Sequence, residues 1–312
     1  MALKRAPEPQ WVLEGVEPQR VGSLARELGV PELLAELLLR RGLSEGEEAR
    51  LFLDSPLSSF SDPFLLDGME AAVERLAEAL SSGEPLGVFG DYDVDGVSAA
   101  ALLTGFLRSL GAETHIYIPH RLREGYGLNL KGLKYLKEMG CRLVVAVDCG
   151  TASVEEVAEA RGLGLSVIVA DHHEPGDELP PALALLNPLK PGSPYPDKGL
   201  TGVGIALKLV AALRSRLRER GWPGELPNLR EMLDLVALGT VADVAPLRGE
   251  NRTLVRHGLL ELTRGRRVGI AALKEVSGLG QGDVTAGQVG FILAPRLNAA
   301  GRVGEANPCL LP

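Results

Sequence analysis

Aromatic residues are scarce in this chain: 2 Trp, 5 Tyr and 6 Phe among 312 residues. A core that cannot rest on large rings must be assembled from Leu, Val, Ile and Ala, and the repeated short runs of those residues supply it. Cysteine is as rare. Cys141, Cys149 and Cys309 form no CxxC pair and leave an odd count. A reduced, cytoplasmic compartment is the simplest reading of such cysteine usage. No stretch has the roughly 18 uninterrupted apolar residues needed to span a bilayer. The opening MALKRAPEPQWVLEG contains neither an apolar h-region nor a cleavage site, so no membrane partner and no secretion are expected. Positive charge is not in excess either: 33 Lys and Arg stand against 41 Asp and Glu, a formal net charge of -8. A binder that holds polyanions by bulk charge is thereby excluded, while a local basic groove or bound divalent cations would still admit one. The chain has no GxxxxGK[ST], no GxGxxG after a strand and no GxSxG, which removes the phosphate cradles of nucleotide folds and the hydrolase nucleophile elbow.

What is present begins with helices. From Trp11 to about Leu53, leucines recur at three- and four-residue spacings among Glu and Arg, the pattern of amphipathic helices. SSFSDP (Ser58–Pro63) reads as a linker, and Glu70–Leu80 as a further helix. The rhythm then changes. PLGVFGD, ETHIYIPHR, RLVVAVDCG, LSVIVADHH and LALLNP read as short strands, alternating with helical VSAAALLTGFLRSLG, LKGLKYLKEMG and SVEEVAEARGLG. Such alternation implies βαβ units and a mostly parallel, five- or six-stranded α/β sheet flanked by helices, with a helical segment before it. KPGSPYPD (Lys190–Asp197) is a loop. GVGIALKLVAALRSRLRER, LREMLDLVALGTVADV and the basic RHGLLELTRGRRVGIAALKEV follow with helical character, and QVGFILAPRLNAAGR closes the chain. These patterns divide the chain into a helical segment (1–56), an α/β domain (57–250) and a basic helical segment (251–312).

The acidic residues fall at strand ends. Asp91 follows Leu86–Phe89, Asp148 ends Leu143–Val147, and Asp171 ends Val167–Ala170. Ligands of open parallel sheets bind beyond the carboxyl ends of the strands, so strands of one sheet would bring these acids to one edge. In GDYDVDG, an extended backbone would put Asp91, Asp93 and Asp95 on one face, with His172 and His173 arriving from ADHH. Carboxylates joined by imidazoles suit Mn²⁺ or Mg²⁺, with Zn²⁺ or Co²⁺ also compatible. A set this acidic has room for two ions about 3.5–4 Å apart. DYDVDG also matches the start of a calcium EF-hand loop. That loop needs a bidentate Glu at its twelfth position, where this chain has Leu102, and a helix before it. Cys149 has no histidine spaced as in a known cysteine nucleophile family and reads as a packed strand-end residue, while His115, His120 and His257 lie outside the acidic groups.

DYDVDG, VDCG, ADHHE and GTVADVAPL, in that order, resemble the four motifs of the DHH phosphoesterase superfamily. IPHRLREGYGLN (118–129), TGVGIALKL (201–209) and FILAPRLNAAGR (291–302) resemble segments of its RecJ family of single-strand-specific 5′→3′ DNA exonucleases. The likeness runs from about Trp11 to Gly304. It implies that Asp91, Asp93 and Asp95 are metal ligands of the first motif and that Asp148 bridges two ions. His172 would bind metal, His173 would ligate or contact the scissile phosphate, and Asp171 would orient the histidines. Asp243 would be the last ligand, although the residue pattern alone reads it as a carboxylate in a loop after a helix. Arg121, Arg123, Tyr126, Arg296, Asn298 and Arg302 would meet phosphates and bases of one strand.

The expected activity is metal-dependent exonucleolytic hydrolysis of single-stranded DNA in repair and recombination, by a monomer working beside a single-strand-binding protein and a helicase. Two other functions fit the same motifs: a phosphodiesterase for short oligonucleotides or cyclic dinucleotides, and a non-catalytic relative that binds single strands. The resemblance also implies a second, DHH-associated domain beyond the basic segment; the chain stops at ANPCLLP, where the connector to it would begin.

Overall fold

The computed structural model describes residues 15–280 and 282–303, with Arg302 and Val303 as backbone only. The chain divides after Pro56 into two compact units. The first unit contains α1 (Pro18–Leu28), α2 (Glu32–Arg40) and α3 (Gly46–Asp54). Pro18 opens α1 and Gly29, with φ of 68°, closes it, the usual asymmetry of helix ends. Val21, Leu24 and Ala25 of α1 pack with Ala35 and Leu38 of α2 and Ala49 of α3 into a small core of their own.

The second unit is an α/β layer structure. In chain order it contains α4 (Met69–Ser82), β1 (Leu86–Gly90), α5 (Val94–Ser109), β2 (Thr114–Tyr117), α6 (Arg121–Glu124), α7 (Leu130–Glu138), β3 (Leu143–Val147), α8 (Val154–Gly162), β4 (Ser166–Ala170) and β5 (Ala184–Leu186). Helices α9 (Gly202–Glu219), α10 (Leu233–Ala242), α11 (Gly249–Arg264), α12 (Val268–Val276), α13 (Ala286–Gln288) and α14 (Ala294–Val303) follow, with a π-helical turn at Val289–Leu293 before the last. The expected linker holds two short 3-10 turns, Leu57–Ser59 and Pro63–Leu65. Among the described residues no helix is long and apolar enough to cross a membrane.

The five strands are all parallel, in the order β2-β1-β3-β4-β5. Every residue of β1 and β3 is buried, which is why both read as unbroken apolar runs rather than alternations. Leu86, Val88, Leu143, Val145 and Ile168 face α4, α5 and α9. Phe89, Val144, Ala146, Val167 and Val169 face α7 and α8. From β1 the chain crosses to one side to make β2, then returns to the other side to make β3. The crevice of the sheet therefore opens between the carboxyl ends of β1 and β3, where Asp91 and Asp148 lie.

One local expectation is overturned. The segment after β1 is not extended through Asp95. The strand ends at Gly90, Asp93 caps α5 by accepting the Gly96 N–H at 3.0 Å, and Asp95 sits in the first helical turn. Asp is a strong N-cap and a helix N-terminus favours acidic side chains, so the three aspartates occupy a strand end, a cap and a first turn.

Candidate metal centre

Asp91, Asp95, Asp148 and Asp171 are each almost fully buried. Burial of four carboxylates in one place demands partners, and the backbone supplies some of them. Both oxygens of Asp95 engage the open end of α9: Oδ2 accepts the Gly202 N–H at 2.7 Å and Oδ1 the Val203 N–H at 3.0 Å. Asp171 accepts the N–H groups of Thr151 at 2.9 Å and His172 at 2.8 Å, and its Oδ1 lies 2.7 Å from His173 Nδ1. Asn187, at the end of β5, donates to the Thr151 hydroxyl at 3.0 Å and the His173 carbonyl at 2.9 Å, so the histidine segment is held from its neighbouring strand.

Asp91 Oδ1 and Asp148 Oδ1 are buried without a hydrogen-bond partner. Asp148 Oδ1 is 3.1 Å from His172 Nε2, but the pair is not aligned as donor and acceptor. The separation is that of adjacent ligands on one cation, which lie about 3 Å apart when each is about 2.1 Å from the ion. Three groups of potential ligand atoms fall within 4.8 Å of one another: Asp91, Asp93 and Asp148; Asp148, His172 and His173; and Asp95, His172 and Asp243. Asp148 and His172 each belong to two of these groups and therefore occupy the middle. Asp243 reaches the site from the C-cap of α10. All eight acids and histidines singled out in the sequence converge here, with Asp171 holding His173 rather than joining a ligand group.

The backbone is strained at two of these places. Asp148 and Val244, next to Asp243, both have φ of 59°, the only non-glycine residues of the second unit with positive φ among the described residues. For a β-branched residue this conformation is costly, and such outliers concentrate at functional sites.

Burial, then the Asp93 charge, pushes Asp91 up to about 7. Burial, then Asp93 and Asp243, pushes Asp95 up to about 8. Asp148 is raised well above the usual carboxylate range by burial and then by Asp95 and Asp93. Burial also raises Asp243 and lowers His172. Asp171 behaves oppositely: burial would raise it, but the hydrogen bonds from His173 and Thr151 hold it at about 2, and the same bond raises His173.

These shifts have a sign that can be measured. Between about pH 4 and pH 8 the folded, metal-free protein keeps carboxyl protons that the unfolded chain has shed, so its stability falls as pH rises, by about 1.4 kcal/mol per pH unit for each such proton. The Asp171 contribution has the opposite sign and is lost only as pH falls from about 4 toward 2. Urea midpoints at pH 5, 6.5 and 8 are expected to decline in EDTA and to rise with Mn²⁺, which favours the ionised forms. A flat profile in EDTA would refute the assignment of raised carboxyls.

Several contributors were not visible in the residue pattern. A Cβ on Gly202 would stand 2.5 Å from Asp148 Oδ1, one on Gly239 2.6 Å from Asp95 Oδ1, and one on Gly96 2.7 Å from the Asp91 backbone N. These glycines let α9, α10 and α5 close on the carboxylates. For Gly239 the signal was available, since a glycine inside a helix costs about 1 kcal/mol relative to alanine and asks for a reason. Gly202 and Gly96 lie in first turns, where it is weaker.

The residues expected to meet a nucleic acid are more dispersed. Arg121 and Arg123 are exposed on α6, with the Arg121 guanidinium 5.1 Å from the centre of the Tyr92 ring. The half-exposed Tyr126 has its hydroxyl 3.0 Å from His173 Nδ1 and 3.3 Å from the Asp148 carbonyl. Arg296 is exposed on α14 and donates to the Ile292 carbonyl in the π-helical turn before it. Asn298 accepts the Val94 N–H at 3.2 Å, tying α14 to the first turn of α5. Arg302 is in the last turn of α14, and its side chain lies outside the described residues.

Known proteins resemble this chain. The model of the DHH family, N-terminal domain, matches residues 85–240, a span that ends three residues before Asp243. Over 305 residues the chain is 43% identical to the single-stranded-DNA-specific exonuclease RecJ of Bacillus subtilis, covering 98% of this chain and 37% of that protein. The Thermus thermophilus protein of the same name is 39% identical over 296 residues, 91% of this chain and 42% of its own length. Among solved structures, RecJ from Thermus thermophilus in complex with Mn²⁺ superposes with a TM-score of 0.78 at 36% identity, covering 96% of this chain and 41% of that one. A second, exonuclease RecJ bound to manganese, gives 0.71 at 41% identity, covering 82% and 62%. The chain thus spans less than half the length of these two curated relatives.

Proposed function

The chain belongs to the DHH family, and on that premise we propose that it is the catalytic part of a metal-dependent exonuclease that hydrolyses single-stranded DNA from its 5′ end. The observation that carries this reading is the pair of buried, unpartnered oxygens, Asp91 Oδ1 and Asp148 Oδ1, at the crevice between β1 and β3. A buried carboxylate oxygen without a donor costs several kcal/mol unless a cation takes it.

The donor set fits two Mn²⁺ or Mg²⁺ ions. Asp91, Asp93 and Asp148 would hold one; His172, Asp95 and Asp243 would hold the other, with Asp148 shared between them. Bound there, the ions supply Lewis-acid stabilisation of phosphoryl oxygens and lower the pKa of water. The protein's own groups do the rest. Asp95 is kept in place by the first turn of α9, so this ligand is already oriented before substrate arrives. Asp171 favours the protonated His173 imidazole, which stands half-exposed beside the ligands and can meet a phosphate oxygen. Arg121, Arg123 and Arg296 offer exposed cations for the backbone of one strand. The setting proposed for this activity is the cytoplasm, in repair and recombination.

With Mn²⁺, a 5′-labelled single strand is expected to lose its label first, a 3′-labelled one only at the end of digestion, and EDTA to stop both. Early loss of the 3′ label would overturn the direction, equal cleavage of blunt duplex the strand preference, and cleavage of dinucleotides but not long strands the substrate class.

A further inference from the structure

Between the end of β2 and the start of α7, residues 118–129 form an arm over the candidate site. Its one regular piece, α6, is a single turn of four residues. A helix that short has no stability of its own, so something else must seat it. Tyr126 stands between Gly125 and Gly127, whose φ values are 81° and 88°. Gly125 pairs that φ with ψ of -159°, a combination essentially closed to other residues. The arm therefore turns on glycines on both sides of the residue that reaches His173.

Glu124 ties the arm down. Its side chain is only 12% exposed, although it belongs to a surface turn. Oε2 accepts the Tyr117 hydroxyl at 2.5 Å and the Asn129 amide at 3.4 Å, and Oε1 accepts Lys131 Nζ at 2.8 Å. Tyr117 is the last residue of β2 and stacks on Phe89 of β1, ring centres 5.3 Å apart. The arm is thus bolted to the sheet through two residues, Glu124 and Tyr117, that belong to none of the ligand groups. Lys131 is 71% exposed, so its ion pair adds little, and the Tyr117 bond to a shielded carboxylate is the strong one.

We propose that Glu124 is a positioning residue for strand binding: by latching the arm to Tyr117 it pre-sets Arg121 over Tyr92 and Tyr126 over His173 before substrate arrives. The inference rests on the single-strand nuclease reading and deepens it. With the latch gone, an incoming strand would have to seat the arm itself. The cost would fall on binding, raising KM while kcat at saturation holds.

The test compares the full chain with Glu124→Ala, Glu124→Gln, Tyr117→Phe and the Glu124→Ala/Tyr117→Phe double variant. Kinetics on a single-stranded oligonucleotide with Mn²⁺ are combined with amide hydrogen exchange of residues 119–129. Loss of a hydrogen bond to a charged group corresponds to a change of roughly tenfold or more. Glu124→Ala is expected to raise KM by about that factor, with kcat within about twofold, and to speed exchange in the arm. Glu124→Gln keeps an acceptor for Tyr117 and is expected to recover most of the loss. Tyr117→Phe alone raises KM severalfold but adds less than about twofold to Glu124→Ala, because both remove one contact. An unchanged KM, a fall in kcat at constant KM, unchanged exchange, or additive effects of the two substitutions would overturn the latch. If the protein binds the oligonucleotide without cleaving it and Glu124→Ala weakens that binding by the same factor, the latch stands and the nuclease reading falls. If it neither binds nor cleaves, both fall.

Discussion

Replacing Asp148 with Asn is expected to abolish Mn²⁺-dependent release of nucleotides, by on the order of 10³-fold or more, and at the same time to raise the melting temperature of the metal-free protein. The two halves have one cause. Asp148 is buried with an unpartnered Oδ1 beside Asp95, Asp93, Asp171 and Asp91, and its carboxyl is pushed far up by that company. In the absence of a cation the folded state must hold this carboxyl protonated at a pH where the unfolded chain ionises it, and that costs stability. Asn removes the charge, keeps the shape, and is among the few residues that tolerate the positive φ found at this position. The metal-free variant should therefore melt higher by a few degrees. With Mn²⁺ the order should reverse, since only the wild type gains the stabilisation that ligand binding to the folded state confers. Melting curves in EDTA and in Mn²⁺, run beside the nuclease assay, check both halves. A variant that loses activity yet melts lower in EDTA would show that Asp148 serves the fold rather than the ions.

Gly202→Ala should do nearly as much damage from a position with no chemistry of its own. Alanine in a helix interior is worth about 1 kcal/mol over glycine, and although Gly202 is the first residue of α9, propensity by itself gives no reason to expect damage there. Here the new methyl would stand 2.5 Å from Asp148 Oδ1 and 2.6 Å from its Cβ, and Gly202 also donates the 2.7 Å bond to Asp95. The first turn of α9 would have to withdraw, moving two candidate ligands at once. Overpacking of this kind costs about 1–3 kcal/mol, and a shift of about 1 Å in a reacting geometry costs on the order of 10²-fold in rate. Gly105→Ala, in α5 where nothing lies within 4 Å of the added carbon, is the contrasting case and should stabilise slightly with activity intact. Rates, Mn²⁺ affinity and melting temperature for the pair check this directly. Equal behaviour of the two variants would remove close packing as the reason for glycine at 202.

How much of this was legible beforehand follows from where each residue's information lies. The strands were readable because parallel strands buried on both faces must be continuous apolar runs, as in LVVAV and SVIVA. Asp91, Asp148 and Asp171 were readable as a group because a parallel sheet delivers all its carboxyl ends to one edge. The extended reading of DYDVDG was overturned because N-capping by Asp93 outcompetes one more turn of strand. Asp243 came only from the motif resemblance. It follows α10 rather than a strand, and its approach depends on Gly239 letting that helix close on Asp95. Tyr126 was singled out for a strand contact by the resemblance alone. That its hydroxyl lies on His173 and the Asp148 carbonyl was not legible, because it is a contact between segments 22 and 47 residues apart.

The sequence by itself determined the layers, the parallel sheet and the chemistry of the donor set, because periodicity, capping and residue type are local properties. Only the tertiary structure decided which oxygens are left without a donor, which glycines stand against carboxylates and which strand holds the arm. Those depend on distances between segments far apart in the chain, and close packing sets such distances to within a fraction of an ångström without leaving a periodic trace in the sequence.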